Sequence, residues 1–154
     1  MHSSTPWWER LVTVSFARNK SLAVSARIVS ASTFRELLAD EMIRSKRSGH
    51  LSRILILYMS KGADAIVPME RELSRKVMGV LSTNLRKTDS IGWYREGTIV
   101  GALLTVVESE SSIGQCHLLE RRLGNILQAE LPDASDVLRF KICIQEEVHQ
   151  FDSW

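Results

Sequence analysis

The stretch from Leu85 to Thr105 decides how this chain folds: Leu-Arg-Lys-Thr-Asp-Ser-Ile-Gly-Trp-Tyr-Arg-Glu-Gly-Thr-Ile-Val-Gly-Ala-Leu-Leu-Thr. Ile91, Trp93 and the run Ile99–Val107 are residues that favour β-strands. Between them, Arg95-Glu96-Gly97 is a polar turn, and its glycine tolerates the positive φ that a tight hairpin requires. The stretch therefore predicts the end of a helix, a strand, a tight turn and a second strand.

Helices and strands are predicted on both sides of that hairpin. The continuous apolar run Ile54–Leu57 is typical of a central strand that is covered on both faces. Pro68 opens a helix, because proline is tolerated in the first helical turn. Ser32 or Thr33 is the predicted cap of an earlier helix, with Glu36 completing a capping box. Apolar spacing then predicts helices at 33–48, 68–86 and 112–129, and strands at 53–58, 89–94, 98–107 and 137–144.

The order of these elements predicts the fold class. Strand, helix, strand, strand, helix, strand is the split βαβ or ferredoxin-like arrangement. Right-handed crossovers then place both helices on one face of an antiparallel four-stranded sheet. We predict an α+β protein with a ferredoxin-like βαββαβ sheet and an extra N-terminal helix. Residues 1–32 form an N-terminal extension with short strands at Leu11–Phe16 and Leu22–Val29, residues 33–145 form one domain, and residues 146–154 form a polar, peripheral tail.

Composition excludes several functional classes. The 154 residues carry a net charge of +2, which is too small to indicate a nucleic-acid or membrane-surface partner. Cys116 and Cys143 are far apart and belong to no metal-binding motif, so no metal or other cofactor is expected. Two isolated thiols suit a reducing cytoplasm. The apolar run Leu11–Phe16 is too short to span a membrane.

Four segments in one order resemble a known family. They are Phe34–Leu38 in the first helix, Ile54–Leu57 in the first long strand, Leu85–Asp89 before the hairpin, and Leu103–Thr105 after its turn. With the order of the elements, they resemble the GGDEF family, the bacterial diguanylate cyclases, across Ala31–Ile144. The resemblance implies a nucleotide-cyclase-like fold and a role in bacterial signalling.

The positions that carry catalysis in that family differ in this chain. An active cyclase holds Mg²⁺ and GTP with a carboxylate at the end of the first strand and an acid in the signature turn. Here the strand ends in Tyr58-Met59-Ser60, and the turn is Arg95-Glu96-Gly97-Thr98-Ile99. Its paired glycines are replaced, and Gly97 and Thr98 occupy its acidic positions. The resemblance therefore implies a protein that is not an enzyme.

One feature of the family is retained at Arg86-Lys87-Thr88-Asp89, an Arg-x-x-Asp motif five residues before the turn. In the family this is the inhibitory site for cyclic di-GMP. An arginine can bind phosphate or guanine through two hydrogen bonds, and a carboxylate can accept hydrogen bonds from the guanine edge. Arg86 equally suits the carboxyl end of a helix, and Asp89 suits a turn into a strand. A phosphate site also needs a second basic group, for which Arg95, Lys87 or a second copy are candidates.

The leading hypothesis is a catalytically inactive GGDEF-like signalling module of a bacterial cytoplasm. Its partner is cyclic di-GMP at Arg86 and Asp89, a second copy in a homodimer, or another protein. The alternative is a structural or oligomerisation domain with no nucleotide role. A less favoured alternative is an unorthodox nucleotidyl cyclase that uses acids such as Asp64 and Glu96.

Overall fold

Six strands, three long helices and two short helical turns make up the part of the chain that the structure describes. The computed structural model describes residues 25–48, 52–62, 65–104 and 112–151. The elements are β1 (Arg27–Ile28), α1 (Ala31–Ser48), β2 (Arg53–Lys61), β3 (Ala65–Val67), α2 (Arg71–Asn84), β4 (Ser90–Arg95), β5 (Ile99–Leu104), α3 (Ser112–Glu130), β6 (Leu138–Ile144), α4 (Gln145–Val148) and a 3₁₀ turn (His149–Phe151). The strand predicted at Leu11–Phe16 lies outside the described residues, and within the predicted strand Leu22–Val29 the structure has the two-residue β1.

Strand β2 is the centre of the sheet. It pairs antiparallel with β5 on one side and with β6 on the other, so that Leu57 lies opposite both Val100 and Phe140. β4 pairs antiparallel with β5, and β1 pairs parallel with β4. The short β3 pairs antiparallel with the end of β2. The predicted α+β class is confirmed, but the whole sheet is mixed rather than antiparallel because β1 runs parallel to β4.

The two helices α2 and α3 cover one face of the sheet, here called the two-helix face. Leu55 and Leu57 of β2 are completely buried on this face. Val77 and Leu81 of α2 pack against them, as does Leu123 of α3. Ile54 and Ile56 alternate with the leucines and are buried on the opposite face. The apolar run in β2 is therefore continuous because both faces of the strand are buried, as the sequence predicts.

The opposite face, here called the glycine face, holds α1 through the ring of Phe34. Gly92 of β4 and Gly101 of β5 lie directly opposite each other, and Phe34 is completely buried over them. A Cβ added to Gly92 would lie 2.7 Å from the Cβ of Phe34, and one added to Gly101 would lie 2.8 Å from the ring carbon Cζ. The ring therefore occupies space that exists because both residues lack a side chain.

Helix α1 begins earlier than the capping pattern predicts. It starts at Ala31, and the side-chain oxygen of Ser30 accepts a hydrogen bond of 3.2 Å from the backbone N–H of Thr33. Ser30 is thus the cap, and the prediction of Ser32 or Thr33 was wrong. The reason is the short β1, which ends at Ile28 and leaves only two residues before the helix starts.

The segment after β6 packs onto the glycine face, so the prediction of a peripheral tail was wrong for the part that the structure describes. Val148 and Phe151 are buried with Ile54 and Ile56. The ring of Phe151 contacts Tyr58, with ring centroids 5.6 Å apart and a tilt of 52°. This segment completes the second core of the molecule.

Two element ends also differ from the prediction. β2 continues beyond the predicted end at residue 58 to Lys61, where it pairs with β3, and Gly62 has a φ of +66° in the turn that follows β2. α2 begins at Arg71 rather than at Pro68, because the backbone of Glu70 is extended, with a φ of −61° and a ψ of 148°; just before it, the N–H of Met69 donates to the carbonyl of Gly97. In the part of the chain that the structure describes, no helix is long and apolar enough to cross a bilayer.

Candidate ligand-binding site

The hairpin turn between β4 and β5 has the backbone geometry that the sequence predicts. Gly97 has a φ of +84°, and the N–H of Thr98 donates to the carbonyl of Arg95 at 3.1 Å. The carbonyl of Gly97 also accepts a hydrogen bond of 2.8 Å from Met69. The backbone of the turn therefore holds the segment before α2 in place through this hydrogen bond.

The side chains around this turn do not form a cluster of acids. The Tyr58 ring is packed against Phe151, and Glu96 is exposed. Among the described residues, no three His, Cys, Asp or Glu side chains are grouped so that they could hold a metal ion. Asp64, one acid of the unorthodox-cyclase alternative, lies outside the described ranges.

The Arg86–Asp89 turn lies at the opposite end of β4, about 20 Å away along a strand of this length. Its two ends are joined by reciprocal hydrogen bonds. The Oδ2 atom of Asp89 accepts from the N–H of Arg86 at 2.8 Å, and the N–H of Asp89 donates to the carbonyl of Arg86 at 2.9 Å. Asp89 is only 4% exposed, whereas Arg86 is exposed. The carboxylate of Asp89 thus stabilises the turn that carries Arg86.

A cavity of about 650 Å³ lies between this turn and α3. Its volume is within the range of pockets that bind small molecules. Residues from the end of α2, the turn, β5 and α3 line it: Asn84, Leu85, Arg86, Asp89, Leu104, Cys116, Leu118, Leu119, Arg121, Arg122 and Asn125. Both residues predicted for ligand binding therefore line one cavity.

Three arginines make this cavity suited to an anion. Arg86 comes from the turn, and Arg121 and Arg122 come from α3. The Nη2 atom of Arg122 donates to the carbonyl of Asn84 at 3.1 Å, while Arg121 is exposed. A guanidinium group binds phosphate or carboxylate oxygens through paired hydrogen bonds. The arrangement can therefore hold a phosphate-bearing ligand between the turn and α3.

Leucines form much of the rest of the cavity wall, alongside Asn84 and Asn125. Leu85 and Leu104 are buried, Leu119 is half-buried, and Leu118 is 64% exposed. Apolar walls with a few polar groups are typical of sites that bind organic ligands. The cavity can thus accept the flat surface of a base as well as a phosphate.

Sequence reasoning found the turn but missed the arginines on α3. It named Arg95, Lys87 or a residue of a second copy as the second basic group. Arg95 lies at the other end of β4, where its Nη2 atom donates to the carbonyl of Phe151 at 3.2 Å, and Lys87 is exposed on the turn without lining the cavity. The sequence signal for the missed residues is the adjacent basic pair Arg121-Arg122 on a helix, which becomes informative only once the packing of α3 is known.

Two other titratable side chains among the described residues, those of His117 and Cys143, do not line this cavity. His117 is exposed and lies 3.5 Å from the Oε1 atom of Glu120, whose Oε2 atom accepts from the N–H of Ile142. His50 lies outside the described residues. Cys143 is buried on the glycine face, and burial raises the pKa of its thiol from 9.0 to about 11, although Lys141 acts in the opposite direction.

Neither a protein-family model nor a curated protein sequence matches this chain at a significant level.

Proposed function

We propose that this protein is a catalytically inactive, GGDEF-like module that binds cyclic di-GMP in the cavity between the Arg86–Asp89 turn and α3. The observation that carries the proposal is the grouping of Arg86 and Arg121 around a cavity of about 650 Å³ whose wall includes four leucines. A cyclic dinucleotide offers two phosphates to the guanidinium groups and two bases to the apolar walls.

The strand order supports the GGDEF-like part of the proposal. Across the sheet, β6, β2, β5 and β4 are neighbours, and every pair among them is antiparallel. This is the order of a ferredoxin-like sheet, with α2 and α3 on one face. α1 comes before β2, as it does in the resemblance drawn from the sequence.

Within the cavity, we assign different roles to the two residues of the motif. Arg86 is exposed and reaches the ligand as a phosphate or guanine donor. Asp89 lines the cavity, but its Oδ2 atom is already hydrogen-bonded to the backbone of Arg86. Its main contribution is therefore to hold the turn in the shape that places Arg86 beside the ligand.

Titration calorimetry with cyclic di-GMP tests the proposal directly. Arg86→Ala should lower the affinity by roughly one to two orders of magnitude, which corresponds to about 1.5–3 kcal/mol for hydrogen bonds to a charged group. The melting temperature should change little, because Arg86 is exposed. Arg139→Ala is the matched control, since Arg139 is an exposed arginine that donates to backbone carbonyls far from the cavity. Absence of heat at high ligand concentration, or equal affinity in parent and Arg86→Ala, would remove cyclic di-GMP from this site.

The thiol of Cys116 gives a second test that needs no substitution. It lines the cavity and is half-buried, so bound cyclic di-GMP should slow its reaction with a maleimide. Cys143 is buried and serves as an internal reference. An unchanged rate with saturating ligand would place any binding site elsewhere.

The inactive part of the proposal rests on the residues at the catalytic positions. Tyr58 and Ser60 occupy the strand end, and Gly97 and Thr98 occupy the turn. We expect no cyclic di-GMP after incubation with GTP and Mg²⁺ or Mn²⁺, as measured by chromatography. Product formed by the purified protein and absent from a heat-inactivated sample would support the unorthodox cyclase instead.

A protein partner is the second candidate, favoured by Leu118. This leucine is 64% exposed and lines the cavity together with Leu104 and Leu119, and contiguous apolar surface of this kind is typical of sites where proteins associate. Size-exclusion chromatography with light scattering should show a concentration-dependent dimer if that partner is a second copy. Leu118→Ser should then shift the equilibrium to the monomer, and a monomer at all concentrations would exclude a homodimer.

A further inference from the structure

The end of α2 and the middle of α3 form two walls of the cavity, and one side chain connects them. The Nη2 atom of Arg122 on α3 donates to the carbonyl of Asn84, the last residue of α2, at 3.1 Å. Carbonyls at the carboxyl end of a helix lack partners within the helix and carry partial negative charge. α2 has no basic residue in its own last turn. Arg122 therefore supplies from α3 the positive charge that this end favours.

The other polar groups at this end of α2 bond to partners outside α3. Asn84 donates its side-chain amide to the carbonyl of Val80 at 2.8 Å, and Thr83 donates its hydroxyl to the carbonyl of Gly79 at 2.9 Å. These bonds tighten the last turn of α2 but do not reach the neighbouring helix. Among the residues that the structure describes, the hydrogen bond from Arg122 is therefore the polar link between α2 and α3 across this part of the cavity.

We infer that Arg122 is a positioning residue that sets the width of the cavity and the location of Arg86, while its neighbour Arg121 meets the ligand. Arg86 follows Asn84 by two residues, so a shift of the end of α2 moves Arg86 as well. Arg121 is exposed at the cavity and free to contact an anion. The affinity part of this inference rests on the proposed function, whereas the width of the cavity can be measured without any ligand.

The ligand-free test uses the reaction of Cys116 with an uncharged maleimide. Arg122→Ala should accelerate the reaction at least twofold, because the wall formed by α2 can move away from α3. The rate depends on the access of the maleimide to the sulfur, so acceleration reports the geometry of the cavity wall. Arg139→Ala, which removes an exposed arginine bonded to carbonyls elsewhere, should react like the parent. A rate in Arg122→Ala that is equal to or below the parent's would overturn the inference.

The second test is a double-mutant cycle of Arg86→Ala and Arg122→Ala, with cyclic di-GMP affinity measured by calorimetry. Arg122→Ala alone should weaken binding at least fivefold. In the Arg86→Ala background the same change should cost less than twofold, since Arg122 acts by placing Arg86. Equal costs in both backgrounds would mean that Arg122 contacts the ligand itself, which would contradict a positioning role. If the parent shows no binding, the proposed function fails, and the maleimide rates still decide whether Arg122 sets the width.

Two further variants keep the test decisive. Arg122→Lys retains a long cationic donor and should restore most of the parent's maleimide rate. If Arg122→Ala is too unstable to assay, Arg122→Gln replaces it, because its side chain keeps polarity but is too short to reach Asn84. It should show the same acceleration, and a parent-like rate for Arg122→Gln would reject the assigned role.

Discussion

The two faces of the sheet are held together in different ways. On the two-helix face, α2 and α3 cover the sheet with many apolar side chains, and Leu81 of α2 and Leu123 of α3 pack in one core with Leu57 of β2. On the glycine face, the buried residues of α1 are Phe34 and Ser45, and the ring of Phe34 lies over two glycines. The helices of the two-helix face are held by a large apolar area, whereas α1 is held on the glycine face chiefly by one ring over two glycines, beside the separate core of Ile54, Val148 and Phe151.

This difference affects how each face should respond to substitution. A broad apolar core can repack around a smaller or slightly different side chain and loses stability gradually. A ring seated on bare backbone leaves little room for adjustment, since its neighbours are backbone atoms. The glycine face should therefore be the more sensitive to changes of one or two carbon atoms.

Phe34→Ala is the change expected to have the largest effect. It removes the completely buried ring and leaves a cavity above Gly92 and Gly101, so the free energy of unfolding should fall by about 3–5 kcal/mol. Denaturant unfolding followed by circular dichroism measures this loss. A change below about 1 kcal/mol would show that α1 is held chiefly by other contacts.

Leu57→Ala probes the two-helix face in the same way. Leu57 is completely buried in the central strand, and its truncation should lower the free energy of unfolding by about 2–5 kcal/mol. The upper part of that range would require that the core around it does not collapse into the space. A variant that melts like the parent would show that Leu57 is not in the core.

Gly101→Ala should cost less, about 1–3 kcal/mol, through overpacking. Its new Cβ would lie 2.8 Å from Cζ at the tip of the Phe34 ring. Combining it with Phe34→Leu removes that tip, so the added cost of Gly101→Ala should be smaller in the Phe34→Leu background than in the parent.

Gly92→Ala is the matched contrast to that rescue. Its Cβ would meet the Cβ of Phe34 at 2.7 Å, an atom that leucine retains. Phe34→Leu should therefore not reduce the cost of Gly92→Ala. Equal rescue at both glycines would contradict the position of the ring.

The smallest effect concerns the two thiols, which report on opposite faces without a substitution. Cys143 has a pKa raised to about 11 by burial, so near neutral pH it should react with a maleimide far more slowly than Cys116. Because the folded pKa lies above the ordinary 9.0, the stabilisation from this neutral thiol is present below pH 9 and is lost as the pH rises through about 11. Mass spectrometry of labelled peptides gives both rates, and similar rates at neutral pH would place Cys143 outside the core.

Local sequence patterns predicted most of the fold on the two-helix face. Ile54–Leu57 marked the central strand, and apolar spacing located α2 and α3, because burial of whole stripes leaves a period in the sequence. The tail was mispredicted since Val148 and Phe151 stand alone in a polar segment. The position of the Phe34 ring over Gly92 and Gly101 could not be predicted from the sequence, because a glycine in a strand does not identify the group that packs against it.

The candidate site was predictable to a similar extent. The Arg-x-x-Asp motif predicted that Arg86 and Asp89 lie on one turn. The reciprocal hydrogen bonds between them follow from their separation of three residues, which is a local property of the sequence. Arg121 and Arg122 come from a helix that follows two strands later, so their arrival at the cavity depends on tertiary packing. The sequence therefore pointed to the turn, and the structure supplies the wall opposite it.

The packing of the Phe34 ring on two glycines has a consequence for the order in which the elements fold. The surface under the ring is formed by Gly92 of β4 and Gly101 of β5 together, so neither strand provides it alone. A shift of one residue between the strands would bring side chains with a Cβ beneath the ring. α1 can therefore dock only after the hairpin has reached its native register. We therefore expect the contacts of the Phe34 ring to form after the folding transition state, so that shortening Phe34 should accelerate unfolding and leave the folding rate nearly unchanged.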